Sequence, residues 1–253
     1  MTNKNQSSSI NDVQDQHASV RHFTDQPLSD ELLRSILNTA RRSPTSSNWQ
    51  TYTMVVVRDP ATRKELARLA GNQRHIEECQ AFVGFCADIY RTGFATAMHG
   101  VEQAKGLEHF LVSSVDAALV GMSAMTALEG HGLGAVMIGG MRNHPKVAGE
   151  LLGLPAGVYI VFGMSIGWPN PAKKLGELKP RLPEELVIHY ERYDDSDPTA
   201  KLAEYDETLG AFYDRTGSNK HAAAWSGPIA NALKAQRRPH LHNELIEMGF
   251  KLD

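Results

Sequence analysis

Four separated stretches of the chain hold residue types that bind anionic or planar ligands. The first is His17-Ala18-Ser19-Val20-Arg21-His22-Phe23. If this piece is extended, His17, Ser19 and Arg21 alternate onto one side and offer a cation, a hydroxyl and ring nitrogens along one edge. Such an edge suits an anionic ligand, and a merely exposed polar edge has the same pattern. The second is the loop Ser43-Pro44-Thr45-Ser46-Ser47-Asn48, whose hydroxyls and amides suit a phosphate or a carbonyl. Turns and helix caps use the same residues. The third is Met137-Ile138-Gly139-Gly140, where glycine lets a flat ligand approach backbone amides, or simply makes a tight turn. The fourth is Leu178-Lys179-Pro180-Arg181-Leu182-Pro183. Its prolines stiffen an extended path that puts Lys179 and Arg181 on one side. That is a two-cation clamp for phosphate, or a basic solvated linker.

Other chemistries find less support. Gly139-Gly140 lacks the G-x-G-x-x-G spacing of a dinucleotide fold. The 11 histidines are scattered, with no H-E-x-x-H or C-x-x-C, so no metal site is expected. A formal charge of −3 gives no basic field for nucleic acid or an anionic membrane. Cys79 and Cys86 are the only cysteines in 253 residues, which reads as two small buried hydrophobes in a reducing compartment. The polar, serine-rich start has no signal-peptide core, and no run approaches 18 apolar residues. A cytoplasmic protein is expected.

The elements that must position these stretches can be read from periodicity. Residues 1–13 read as a flexible tail. Ser29 caps a helix whose stripe is Leu33, Ile36, Leu37 and Ala40, and Pro44 ends it. Strands are expected at Thr51–Val57, Ala81–Asp88, Ala135–Ile138 and Gly157–Ile166, with a helix near Thr62–Ala70 and another opened by Pro145. A longer helix, about Leu107–Glu129, is apolar on most sides and so must be buried on most sides, centrally or across a subunit interface. Helical patterns return near Thr199–Tyr213, Ala222–Lys234 and Leu241–Met248. Few strands among dissimilar helices favour an α+β fold.

The order of these segments resembles the nitroreductase superfamily, specifically its type A oxygen-insensitive NADPH nitroreductases and NADPH:FMN oxidoreductases. The resemblance is carried by His17-x-Ser19-x-Arg21-His22-Phe23, Thr45-Ser46-Ser47, Gly71-Asn72-Gln73-Arg74-His75, Ile138-Gly139-Gly140-Met141-Arg142-Asn143, Gly167-Trp168-Pro169, Leu178–Pro183 and Gly217-Ser218-Asn219. It implies a mostly antiparallel central sheet flanked by helices, an interlocked homodimer, and FMN at the subunit interface. Residues 14–253 would then form one FMN-binding domain with a C-terminal helical extension. By the same resemblance, His17, Ser19, Lys179 and Arg181 hold the FMN phosphate, while Arg21 and Gln73 face the pyrimidine edge. The backbone around Met137, Ile138, Gly139 and Gly140 approaches the central ring, and Thr45 and Ser46 contribute from their loop. Arg215 and Lys220 would read the 2′-phosphate of NADPH. The implied activity is ping-pong transfer of two electrons from NADPH to nitroaromatic, quinone, azo or flavin acceptors. The alternatives are a non-catalytic FMN store or sensor, or a related flavin enzyme such as a reductive dehalogenase. Two departures stand out: Ala18 replaces the usual Arg, and Arg215 is one residue displaced from Gly217-Ser218-Asn219.

Overall fold

The structure is a computed structural model that describes residues 9–173, 177–217 and 224–252. The chain divides into two compact units: Met1–Lys174 with His240–Asp253, and Leu175–Pro239. The stretch read as a tail also holds a short helix, α1 (Ile10–Asp15), closed by a capping box between Ser9 and Asp12.

At the centre of the first unit is a four-stranded sheet of β1 (Tyr52–Val57), β2 (Ala81–Asp88), β3 (Gly134–Ile138) and β4 (Val158–Gly167). The order is β1-β2-β4-β3, with every neighbouring pair antiparallel. Helices cover both faces, so central β2 is buried at every position. This is why its sequence is continuously apolar and does not alternate.

On one face lie α2 (Asp30–Ala40) and α6 (Leu107–Gly130). The hydroxyl of Ser29 accepts from the amide of Leu32, and the buried residues of α2 are Leu33, Ile36, Leu37 and Ala40, the stripe read from sequence. Helix α6 packs small residues inward, Ala117, Gly121 and Ala124 among them. A side chain at Gly121 would collide with the Phe162 ring, so glycine sets how closely the helix approaches β4. The outward face of α6 is also apolar, with Leu107, Leu111, Val115, Leu119 and Met122 all exposed in the single chain. By length and composition α6 could cross a membrane, contrary to the expectation from apolar runs. Its buried face, closing the core against α2 and β2, makes it a core helix.

On the other face lie α3 (Pro60–Leu69), α4 (Arg74–Glu78) and α7 (Pro145–Leu151), whose Leu66, Ile76 and Ala148 meet Phe82, Ile138 and Ile160. Helices α4 and α5 (Tyr90–Ala97) are too short to carry a readable period, and the sequence reading contained neither. Helix α10 (Leu241–Glu247) closes this unit, with Leu245 and Phe250 against Tyr159 and Ile89.

The second unit is built on α8 (Thr199–Thr216), which ends at Gly217 in the left-handed conformation, φ 67°. Its Tyr205, Leu209 and Phe212 pack with Ala224, Leu182 and Trp225. Helix α9 (Ser226–Leu233) starts later than expected, and Ala222 lies outside the described residues.

Candidate functional site

β3 runs out of the sheet into a tight turn, Gly139–Asn143. Ile138 is buried, and Met137, near the end of this edge strand, is 40% exposed. A Cβ at Gly140 would stand 2.6 Å from the Ala70 carbonyl oxygen and 2.8 Å from Gln73 Nε2. No other residue fits without displacing backbone, and the same closeness sets Gln73 beside the turn. The Gln73 amide is fixed by donating to the Ala70 carbonyl at 2.8 Å.

The N-terminal segment runs alongside β3. The Val20 amide donates to the Ala135 carbonyl at 2.9 Å, and a Cβ on Gly134 would stand 2.5 Å from Val20 Cγ2. Further along, Thr24 bonds Trp168 and Phe23 bridges Pro169. Val20 is therefore buried, while Ser19 and Arg21 point outward together, as the alternating pattern requires. Arg21 makes one weak bond, to the Ser19 carbonyl at 3.4 Å. Its charge is felt at half-buried His75, two residues beyond Gln73. Burial first, then Arg21, hold His75 below the usual imidazole range. The rim around β3 thus gathers Ser19, Arg21, Gln73, Met137, Ile138, Gly139 and Gly140.

His17 has a partner that the sequence reading did not anticipate. Its Nδ1 lies 2.6 Å from Glu129 Oε1 near the end of α6, and Glu129 Oε2 is buried without a hydrogen bond. A carboxylate only accepts, so Nδ1 carries the proton and Nε2 is the position left for a ligand.

Ser46 is held by α6, and Thr45 precedes it in the same loop. Asp116, 1% exposed, accepts from the Ser46 amide at 3.2 Å. It also accepts from the Thr51 amide at 3.0 Å and the Thr51 hydroxyl at 2.7 Å. Next to this loop a cavity of about 450 Å³ is lined by Pro44, Thr45, Ser46, Leu111, Val115 and Leu119, so the loop borders the exposed apolar face of α6. A larger apolar cavity of about 610 Å³, walled by Trp49, Ile89, Val101 and His109, contains none of the expected ligands.

In the second unit Lys179 and Arg181 are both exposed. Lys179 Nζ lies 5.3 Å from the centre of the Tyr213 ring. The hydroxyl of Tyr205 donates to the carbonyl of Pro180 between them, fixing the extended path to α8. Arg215 forks onto the carboxylate of Glu177, with Nη2–Oε2 at 2.7 Å. Lys220 lies outside the described residues.

The sequence reading missed Asp116, Glu129 and His75. Asp116 had a legible signal, because a carboxylate inside a helix apolar on most sides must be satisfied by something. Glu129 had none, since its partner is distant in sequence, and His75 stood in a matched stretch without a role of its own.

The donors around β3 fit a phosphorylated planar heterocycle. An open glycine-lined backbone meets a flat ring, Gln73 offers an amide edge, and Arg21 keeps its guanidinium available in solvent. Comparison with known proteins agrees. Residues 15–168 match the model of the nitroreductase family, and residues 179–253 match its C-terminal domain. The chain is 39% identical to the oxygen-insensitive NADPH nitroreductase of Salmonella typhimurium, over 92% of this chain and 95% of the relative. It superposes on the NADPH:FMN oxidoreductase from Vibrio harveyi, solved with NAD+, with a TM-score of 0.86 and 32% identity, covering 96% of this chain and 99% of that one. NfrA2 of B. megaterium gives a TM-score of 0.91 at 33% identity, covering 97% and 99%. With a four-stranded antiparallel sheet, a glycine turn closed by Gln73 and these two matched regions, the chain belongs to the nitroreductase family.

Proposed function

We propose that this chain is an FMN-dependent oxidoreductase transferring two electrons from NADPH, in ping-pong fashion, to nitroaromatic, quinone, azo or flavin acceptors. The observation that carries the reading is the β3 rim, where Gly140 is pinned against Gln73 while Arg21 stays open to solvent. FMN, when bound, supplies the redox chemistry. The protein's part is binding and electrostatics. Lys179, Arg181, Ser19 and His17 are the residues that would hold its phosphate, a group with close to two negative charges. Arg21 and Gln73 would face the pyrimidine edge, where a guanidinium stabilises negative charge. The backbone at Met137, Ile138, Gly139 and Gly140 would approach the ring, closest at the two glycines, which carry no side chain.

The working form in this reading is a homodimer. Five exposed apolar residues on α6, bordered by the Thr45-Ser46 loop, are more than a soluble monomer presents without function. A partner seated there would cover the stripe and bring Thr45 and Ser46 to a shared flavin site. Arg215 and Lys220 are proposed to select NADPH. The Arg215–Glu177 pair is exposed and therefore weak, so a 2′-phosphate can replace the carboxylate at little cost. Two buried free thiols support a reducing, cytoplasmic setting.

The test is direct. Purified protein should be yellow, release FMN and not FAD on denaturation, bleach with NADPH in the absence of oxygen, and recover colour with a quinone. A protein that neither holds nor takes up FMN overturns the reading. One that holds FMN but never bleaches is a flavin store.

A further inference from the structure

The loop that carries Thr45 and Ser46 is held in an unfavourable shape. Ser47, Asn48 and Gln50 have φ of 47°, 59° and 53°, in the left-handed region where a Cβ crowds the backbone. Asparagine tolerates that region, whereas serine and glutamine do so less readily. Something outside the loop must hold it.

Asp116 touches both ends. One carboxylate oxygen accepts from the Ser46 amide, and the other accepts from the amide and hydroxyl of Thr51. The left-handed residues lie between these anchor points. Arg91 adds a bond from Nη2 to the Gln50 carbonyl at 2.9 Å. A buried carboxylate in mid-helix is costly unless its lone pairs are used, and here three donors use them. All three donors belong to the loop's anchor residues, and the sheet and α2 supply none.

We propose that Asp116 is a positioning residue for the flavin site: it clamps the Ser46–Thr51 loop in its strained form and thereby presents Thr45 and Ser46. The inference rests on the FMN reading above. An aspartate is required, not a neutral isostere. An asparagine has one acceptor end and one donor end, so one anchor amide would face another N–H.

The experiment uses the FMN-loaded protein and three variants. Asp116→Asn should open the loop, seen as faster amide hydrogen exchange at Ser46 and Thr51, and weaken FMN by about ten- to a hundredfold, the loss expected for charged hydrogen bonds. Ser47→Gly/Gln50→Gly removes the crowding, so adding it to Asp116→Asn should restore much of the FMN affinity. A merely structural role for Asp116 would lower the melting temperature without this rescue. Asp116→Asn that keeps wild-type FMN affinity overturns the proposal, and so does a loss of affinity that the glycine pair leaves untouched. If wild-type protein fails to bind FMN, the functional reading has failed instead. Exchange at Ser46 and Thr51 then still decides the clamp, which unchanged protection in Asp116→Asn would refute.

Discussion

The two faces of α6 have similar apolar character and different tasks. The inward face sets small residues, with Gly121 beside the Phe162 ring, among Val120, Met125 and Leu128, and it carries the buried polar groups Ser113 and Asp116, each hydrogen-bonded. The outward face uses large residues, Leu107, Leu111, Val115, Leu119 and Met122, each left 39–54% exposed in the single chain. Close packing within one chain needs small residues at the contact. Broad area without a fixed neighbour in the chain marks a face for another molecule. The contrast teaches that one helix, apolar all round, can satisfy two requirements that composition alone merges.

The largest expected effect comes from charging the inward face. Val120→Asp places an unpaired carboxylate in the core and should cost about 3–5 kcal/mol, enough to leave little folded protein by circular dichroism. A folded, cooperative Val120→Asp variant would break the distinction between the faces. Charging the outward face should do something else. Val115→Lys/Leu119→Lys is expected to retain the secondary structure, run at about half the wild-type mass in light scattering, and lose FMN along with the partner. If it stays dimeric, the partner covers another surface.

A smaller effect sharpens the comparison within the inward face. Ser113→Ala removes a hydroxyl that bonds the carbonyls of His109 and Phe110, inside its own helix. Those carbonyls keep their helical partners, so chemical denaturation should show a loss of roughly 0.5–1.5 kcal/mol at most, far below that of Val120→Asp. The smallest effect is expected away from α6. Burial and Arg21 hold the folded-state pKa of His75 below its unfolded value. The unfolded chain therefore binds more protons in acid, and stability present above the ordinary imidazole range falls as pH drops through it. His75→Gln should flatten the slope of stability against pH between about pH 7 and 5, where an ordinary histidine titrates. An unaltered slope would assign the titration to other groups.

Much of the fold was legible because it rests on short-range periodicity. The Ser29 cap, the Leu33–Ala40 stripe and the four strands follow from residue type and spacing alone. The strand order β1-β2-β4-β3 does not, because pairing between β2 and β4 depends on contacts between residues far apart in sequence, from Asp88 with Val158 to Ala81 with Ile166. The alternation of Ser19 and Arg21 about Val20 was also readable, since it needs only an extended backbone. The role of Glu129 was not, because it is defined by a partner distant in sequence, and Asp116 signalled only that it needed donors, not which ones. The same limit applied to Arg215: the resemblance implied a phosphate for it, and only the structure shows Glu177 on its fork.

Cys79 and Cys86 sit inside the first unit, almost without solvent contact. Burial raises both thiols, Cys86 to about 12. A thiol reacts with electrophiles as its thiolate, and burial disfavours that form of both cysteines. Quinones and the reduced products of nitroaromatics are alkylating agents. An enzyme handling them is exposed to its own chemistry at every turnover. If such acceptors are the ones proposed above, the two thiols, the most reactive soft nucleophiles a protein offers, lie beneath packed side chains where those agents do not reach them.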